Sequence, residues 1–325
     1  MPAAIPTARA AATATALLAD PIYKLHDTGP GHPEQPARYD AVFGAIKDMS
    51  LALVPQRAAT DDEIALVHSR RYIDIVRRDV GAGRTELSTG DTTISSASLR
   101  VALAATGGVL NAVDAVITGS ARNAFCAIRP PGHHARPEQG MGFCIFNSIA
   151  VAARYAQRKH GLGKVLIVDW DVHHGNGTQD TFYHDGSVFF FSTHQWPWYP
   201  GTGPASETGD GAGKGTTMNR PFPAGSGREQ IVTAFREDLR RAAEAFQPEL
   251  VLISAGFDSR AGDPLGGFTL ADGDFADLTR IMLDIADEHA NGRLVSVLEG
   301  GYNLGGLASA SAAHVQELVK GNLKA

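Results

Sequence analysis

The 325-residue sequence has little cysteine, no excess of basic residues and no long uncharged hydrophobic run. Its two cysteines, Cys126 and Cys144, cannot form a disulfide framework, which fits a reducing compartment or a protein indifferent to redox conditions. Lys and Arg number 29 against 35 Asp and Glu, and the net charge of −6 argues against nucleic-acid binding through a general basic surface. Beyond residue 20, no apolar stretch of about 18 residues is free of charge, so we predict no membrane partner.

What is present is typical of a folded globular protein, with 43% hydrophobic and 20% charged residues. The length fits two average domains or one large α/β domain. The first twenty residues carry one base, Arg9, and a weak apolar stretch, which disfavours an export signal. We predict a flexible arm over residues 1–19, one domain over residues 20–325 and a cytoplasmic location.

Short apolar, β-branched runs alternate with longer stretches of helical periodicity. This pattern predicts a mostly parallel sheet with helices on both faces, an α/β fold. The clearest predicted strands are 125–128, 164–169, 188–192, 250–254 and 294–298. The clearest predicted helices are 96–117, 147–160, 228–245, 272–289 and about 309–319.

A polar cluster begins where each predicted strand ends. Ligands of open parallel α/β sheets bind at the carboxyl ends of the strands. Five segments should therefore deliver polar side chains to one edge of the sheet, where we predict the active site. They are 129–134, 169–174, 192–194, 255–258 and 299–302.

The cluster after the second strand has the composition of a metal site. Residues two apart share a face of an extended segment, so Asp169, Asp171 and His173 should point the same way. Asp258, after another buried strand, is the natural third ligand beside Asp171 and His173. Three protein ligands leave positions open for water and substrate, as in catalytic rather than structural sites. A solvated acidic turn is the alternative for either segment considered alone.

The other clusters offer acid–base groups and an oxyanion donor. His133 and His134 follow a rigid Pro-Pro-Gly turn and suit metal ligation or proton transfer. Tyr302, after two glycines, could donate a hydrogen bond to a developing oxyanion. The aromatic segment 196–200 either lines a pocket or plugs a loop. Cys126 and Cys144 are interpreted as core residues.

These motifs together resemble the zinc-dependent histone deacetylase superfamily, which includes acetylpolyamine amidohydrolases. The resemblance runs from about residue 20 to residue 319 and implies one domain with an arginase/deacetylase-like fold of about eight strands. Asn176 and the run 263–266 resemble the class II branch. The motifs are His32–Arg38, Arg129–Ala135, Met141–Asn147, Asp169–Thr178, Pro200–Gly203, Ala255–Asp258 and Glu299–Asn303.

The resemblance implies a role for each matching residue. Asp171, His173 and Asp258 would hold one catalytic zinc ion. His134, oriented by Asn176, would be the general base and His133 would pair with Asp169, while Tyr302 would polarise the scissile carbonyl. The residues implied for the acyl-lysine tunnel and its rim are Gly142, Phe143, Tyr199 and Leu265, and Arg38 is implied for an inner acetate channel.

The resemblance also implies one or two structural potassium ions. The first would use Asp169, the backbone carbonyls of Asp171 and His173, and contacts from Ser192 and Thr193. The second would lie near Phe182, Asp185 and Val188.

The implied reaction is removal of an acetyl or other short acyl group from the ε-amine of lysine by metal-activated water. Polyamine specialists of the family can carry a glutamate where this chain has Leu265, so acyl-lysine in proteins or peptides is favoured over an acetylated polyamine or another small acylated amine. Two other interpretations are an arginase-like dimetal enzyme and an inactive acyl-lysine-binding scaffold. The dimetal enzymes need carboxylates at the positions of Gly175 and Arg260, so a site with one metal ion is favoured. A scaffold would be expected to have lost Tyr302 or a metal ligand, and this sequence retains them. The oligomeric state is not predicted.

Overall fold

The computed structural model describes residues 14–322, which form an eight-stranded sheet in which every pairing is parallel. The strands run in the order β2-β1-β3-β8-β7-β4-β5-β6. The predicted α/β class is confirmed. The strands are β1 (Thr15–Leu18), β2 (Leu51–Leu53), β3 (Asn123–Cys126), β4 (Val165–Asp169), β5 (Val188–Gln195), β6 (Thr217–Phe222), β7 (Leu250–Ala255) and β8 (Leu294–Leu298).

Helices cover both faces of the sheet because its strands bury both sets of side chains. In β4, Leu166 and Val168 pack into one hydrophobic cluster with residues of α1 and of α7 to α10. Val165 and Ile167 pack into the opposite cluster with α4 and α5. The helices are α1 (Ala37–Ile46), α2 (Asp61–Ile64), α3 (Arg70–Gly81), α4 (Ser98–Ile117), α5 (Ser148–His160), α6 (Asn176–Phe182), α7 (Arg228–Thr233), α8 (Arg240–Phe246), α9 (Asp272–His289) and α10 (Leu304–Gly321), with a π-helical segment at Ala234–Leu239.

The predicted arm over residues 1–19 needs correction at its inner end. Residues 1–13 lie outside the described part of the chain, but Thr15–Leu18 form β1, which is buried and pairs with β2 on one side and β3 on the other. A strand hydrogen-bonded on both sides cannot behave as a flexible arm. The folded domain therefore includes residues 15–19 as well.

Helix α4 is long and apolar enough to cross a membrane by length and composition alone. Two thirds of the apolar stretch of α4 is buried inside the fold, where the helix packs on α5, β1 and β3. The apolar composition of α4 is therefore explained by its position as a core helix.

Four of the predicted polar segments begin at or just after the carboxyl ends of neighbouring strands, namely 129–134, 169–174, 255–258 and 299–302. The fifth, 192–194, was predicted to begin where its strand ends but lies inside β5, because that strand continues to Gln195. In the sheet register, Asp169 at the end of β4 lies beside Ser192 of β5 and Ser254 of β7. The loops after β3, β4, β7 and β8 leave the sheet at this edge, and they carry His133, Asp171, Asp258 and Tyr302. The fold thus gathers residues more than 160 positions apart into one site.

Candidate active site

Asp171, His173 and Asp258 form a compact group of buried metal-ligand side chains. Nδ1 of His173 lies 3.0 Å from Oδ1 of Asp171 and 3.2 Å from Oδ2 of Asp258. One ligand atom from each residue falls within 4.8 Å of the others. The loop after β4 therefore presents the carboxylate and the imidazole on the same face, and the loop after β7 adds the second carboxylate.

The donor set fits a divalent metal ion. Burial and the charge of Asp171 raise the pKa of Asp258 to about 7. Burial alone would lower the pKa of His173, but Asp171 and Asp258 outweigh burial and raise it to about 10. Within residues 14–322, Oδ2 of Asp258 is buried and accepts no hydrogen bond. A buried carboxylate oxygen that accepts no hydrogen bond is costly, and a cation among these three side chains would offset that cost.

Glycines leave the space around these carboxylates open. A Cβ atom at Gly300 would overlap with both Asp171 and Asp258, and one at Gly256 would overlap with Asp171. A Cβ atom at Gly175 would overlap with Asp169. The position where a dimetal enzyme would carry an extra carboxylate therefore has no room for a side chain, which favours a mononuclear site.

The rings of His133 and His134 lie next to each other beside the metal-ligand group but have different partners. Nδ1 of His133 lies 2.9 Å from Oδ2 of Asp169, and Nδ1 of His134 lies 2.8 Å from Oδ1 of Asn176. The two rings are 4.0 Å apart at their centroids. Both histidines are buried, so the partner at Nδ1 determines the charge that each ring can carry.

The electrostatics separate the two rings. Burial disfavours a charge on His133, but the carboxylates of Asp169 and Asp171 outweigh it and raise its pKa well above the usual value. Burial and the neighbouring His133 and His173 lower the pKa of His134 well below its usual value. Because the oxygen of Asn176 only accepts, Nδ1 of His134 carries the hydrogen and Nε2 keeps its lone pair. The surroundings thus favour a neutral ring at His134 beside a protonated ring at His133.

A pocket of about 230 Å³ leads from the surface to these residues. Its mouth is formed by the partly exposed Trp198 and Tyr199, and its floor includes the buried His134, His173 and Tyr302. The remaining lining residues are Asp91, Gly142, Phe143 and Leu265. All four predicted substrate-binding residues therefore line one pocket, and the aromatic segment 196–200 contributes Trp198 and Tyr199 to its mouth.

The turn at Gly142 and Phe143 is shaped for close approach. A Cβ atom at Gly142 would overlap with the ring of His134. Phe143 has φ +67°, a left-handed conformation that is rare for a bulky residue and is often retained at functional sites. Its ring packs edge-on against Tyr302, with centroids 5.9 Å apart. The backbone here gives up local stability to place an aromatic wall beside the floor of the pocket.

Tyr302 lies over the buried side chain of Arg38. The guanidinium is 5.0 Å from the centroid of the tyrosine ring, and Nε donates to the carbonyl of Gly301 over 2.7 Å. Arg38 also binds Glu34 and the carbonyl of Glu299. Burial raises the pKa of Tyr302 well above the usual value, although Arg38 opposes this effect. The phenol therefore keeps its proton and can donate it in a hydrogen bond.

The residues predicted for a monovalent cation come from the end of β4, the loop after it and the middle of β5. Asp169 is paired in register with Ser192, and Thr193 follows it. The Ser192 hydroxyl lies 2.9 Å from Nδ1 of His194. At the second predicted position, the carboxylate of Asp185 accepts hydrogen bonds from Ser187 and Arg154. Potassium binding stays a prediction.

Asp91 lies at the mouth of the pocket and was not predicted as a site residue. Its Oδ1 accepts the backbone N–H of Gly142 over 2.8 Å, and its Oδ2 accepts the hydroxyl of Tyr199 over 3.1 Å. Asp91 belongs to a loop between α3 and α4, so no strand end marked it. The family resemblance gave no signal for it either.

The site combines mutually close carboxylates and histidines with a buried phenol and a pocket at the carboxyl edge of a parallel sheet. This arrangement fits a hydrolase that acts on amides. The histone deacetylase domain matches residues 32–318. The chain belongs to the histone deacetylase family, as its motifs predict.

Relatives and solved structures agree with this assignment. The chain is 42% identical to "Histone deacetylase 10, chloroplastic" of Oryza sativa subsp. japonica, across 86% of this chain and 68% of the relative. It is 39% identical to "Polyamine deacetylase HDAC10" of Homo sapiens, across 88% of this chain and 44% of the relative. The solved structure of the HDA15 HD domain superposes with a TM-score of 0.90 at 35% identity, covering 94% of this chain and 90% of that chain.

Proposed function

We propose that this protein is a zinc-dependent deacetylase that removes acetyl or other short acyl groups from the ε-amine of lysine in proteins or peptides. One observation carries the proposal: three groups lie together at the floor of one narrow pocket. They are the Asp171–His173–Asp258 group, the neutral base His134 and the phenol of Tyr302. Unactivated amides resist hydrolysis, and this set offers a candidate for each catalytic requirement. No required residue is missing, which disfavours an inactive scaffold.

The side chains have separate tasks in the reaction. Asp171, His173 and Asp258 would hold Zn²⁺, which when bound supplies a Lewis acid for the acyl carbonyl and lowers the pKa of water to about 7. Nε2 of His134 takes the proton from the attacking water and later delivers it to the leaving amine. Tyr302 donates a hydrogen bond to the carbonyl oxygen as negative charge develops there.

The pocket also supports the acyl-lysine preference. Phe143, Tyr199 and Leu265 give it mostly apolar walls, which suit the aliphatic stem of lysine. Leu265 places no charge at the rim.

The free, buried thiols of Cys126 and Cys144 are consistent with a cytoplasmic location.

Asp91 favours a second candidate, an acetylated polyamine. Its carboxylate at the mouth could hold a distant ammonium group, because opposite charges attract strongly in a partly dry pocket. Gly142 and Tyr199 already donate to this carboxylate, which reduces its attraction for a cation. We therefore rank the polyamine second.

One assay tests both candidates. Amine release is measured from an acetyl-lysine peptide and from an acetylated polyamine, before chelation, after chelation and after zinc repletion. Zinc-restored cleavage with preference for the peptide would support the proposal. Preference for the polyamine would keep the chemistry and reverse the substrate assignment. Cleavage of neither substrate would contradict the proposed function.

A further inference from the structure

The hydroxyl of Tyr302 must be placed accurately, yet its loop has little regular structure. Tyr302 lies between the end of β8 and the start of α10 and follows two glycines. Gly301 has φ +118°, which few other residues adopt. The ring contacts Phe143 and Arg38. The backbone just before it is held by Asp171, which accepts the N–H of Gly300, and by Arg38, which donates to the carbonyl of Gly301. The anchor for the backbone of Tyr302 itself must come from another residue.

Asp263 supplies that anchor. Its Oδ2 accepts the backbone N–H groups of Tyr302 over 2.7 Å and of Asn303 over 3.1 Å. Its Oδ1 accepts the N–H of Leu265 over 2.9 Å. The side chain is buried, and hydrogen bonds to a carboxylate are stronger than those between neutral groups. One carboxylate therefore joins the loop of the carbonyl-polarising tyrosine to the rim of the pocket.

A second bond reinforces the connection between the two loops. Nδ2 of Asn303 donates to the carbonyl of Gly262 over 2.9 Å, next to Asp263. At the rim, the indole N–H of Trp198 donates to the carbonyl of Leu265 over 2.8 Å. The position of Tyr302 and the position of the rim thus depend on the same short segment, residues 262–265.

We propose that Asp263 is a positioning residue for Tyr302, which sets turnover by holding the phenol against the substrate carbonyl and does not itself touch the substrate. This inference rests on the proposed deacetylase function. Removal of an interaction that is made mainly in the transition state lowers kcat and leaves KM nearly unchanged. A residue that acts only through Tyr302 must also have no effect once the phenol is gone.

The test is a double-mutant cycle of Asp263→Asn with Tyr302→Phe. Glu249→Gln is the matched control, because Oε2 of Glu249 also accepts two consecutive backbone N–H groups, those of Gly163 and Lys164. These two residues lie just before β4, at the end of the sheet opposite to the site. Asp263→Asn should lower kcat about tenfold or more, with KM and bound zinc unchanged. In the Tyr302→Phe background the same substitution should change kcat by less than about threefold. Glu249→Gln should leave kcat unchanged in both backgrounds.

Equal losses in both backgrounds, or no loss in either, would overturn the proposal. If Asp263→Asn fails to fold, Asp263→Glu keeps the charge and moves the oxygens, and the same non-additivity is expected of it. A readout without turnover is 19F NMR of protein labelled with 3-fluorotyrosine, in which Tyr302→Phe identifies the Tyr302 signal among the seven tyrosines. Asp263→Asn should shift or broaden that signal and Glu249→Gln should not; an unchanged signal would also overturn the proposal. Absence of wild-type cleavage would instead contradict the deacetylase function, and the NMR result would still decide whether Asp263 positions Tyr302.

Discussion

Nδ1 of His134 lies 2.8 Å from the side-chain oxygen of Asn176, a neutral partner that orients the ring without adding charge. Nδ1 of the adjacent His133 lies 2.9 Å from a carboxylate oxygen of Asp169. These partners favour a neutral ring at His134 and a protonated ring at His133, which suits His134 to take a proton in the proposed reaction.

Asn176→Asp should move the acid side of the pH profile. A carboxylate at Nδ1 stabilises the protonated ring and raises the pKa of His134 by about one unit or more. Because the base must be neutral, kcat/KM should begin to fall at a higher pH than in the wild type. The measurement is kcat/KM against pH, with Asn291→Asp, an exposed position at the opposite edge of the sheet, as the charge-matched control. Identical profiles would exclude His134 as the base.

Tyr302→Phe should retain metal and lose most turnover. The substitution removes only the phenol hydroxyl, and loss of one oxyanion donor costs about 10² to 10³ in kcat. Tyr302 is outside the metal-ligand group, so bound zinc should remain stoichiometric. Tyr183→Phe, in the segment between α6 and β5, is the control. Turnover equal to that of the wild type would remove Tyr302 from the mechanism.

Asp258→Ala should lose the metal. It removes one of three buried ligands and leaves Asp171 and His173 to bind the ion. Metal content after dialysis should fall well below one ion per chain, whereas Asp62→Ala, at a largely exposed carboxylate, should keep the full amount. A full zinc complement in Asp258→Ala would show that the ligand set is wrong.

The sequence predicted the centre of this site because strand ends mark it. Asp171 and His173 share a face, and Asp258 follows a buried strand, so local pattern and parallel topology together bring them close. Asp91 was missed because it lies in a loop that follows a helix. Its position is fixed by the N–H of Gly142, which is 51 residues away in sequence, and no local pattern contains that distance.

Strands β6 and β1 escaped prediction for different reasons. Strand β6 contains Pro221, and a proline counts against a strand in sequence. It is tolerated here because β6 is the last strand of the sheet and pairs only with β5. Strand β1 is only four residues long within an alanine-rich stretch, and its pairing with β2 and β3 compensates for weak local preference.

Buried neutral histidines should make the fold less stable in mild acid. Burial lowers the pKa of His314 to about 3 and that of His68 to about 4. The unfolded chain takes up these protons near pH 6.5, so their contribution to stability is full above about pH 6.5 and is lost as the pH falls towards about 4, by up to about 1.4 kcal/mol per histidine for each pH unit.

Urea unfolding at about pH 7 and about pH 5 measures this effect. The free energy of unfolding should fall between the two conditions in the wild type and fall less in His314→Gln, which has no imidazole to protonate. His184→Gln, at an exposed position, should show the same fall in the free energy of unfolding as the wild type. If that fall were also unchanged in His314→Gln, His314 would not contribute to the acid sensitivity.

Leu265→Glu should shift the substrate preference towards acetylated polyamines. Leu265 lines the pocket near its mouth, and Asp91 already provides one carboxylate there. A second carboxylate would hold the distant ammonium of a polyamine, because charge pairing is strong where water is partly excluded. The ratio of kcat/KM for acetylated polyamine over acetyl-lysine peptide should rise about tenfold or more, an increase that corresponds to about 1.4 kcal/mol. Leu265→Gln has nearly the same size and no charge, so it should change the ratio little. Equal ratios in the two variants would show that charge at position 265 does not select the substrate.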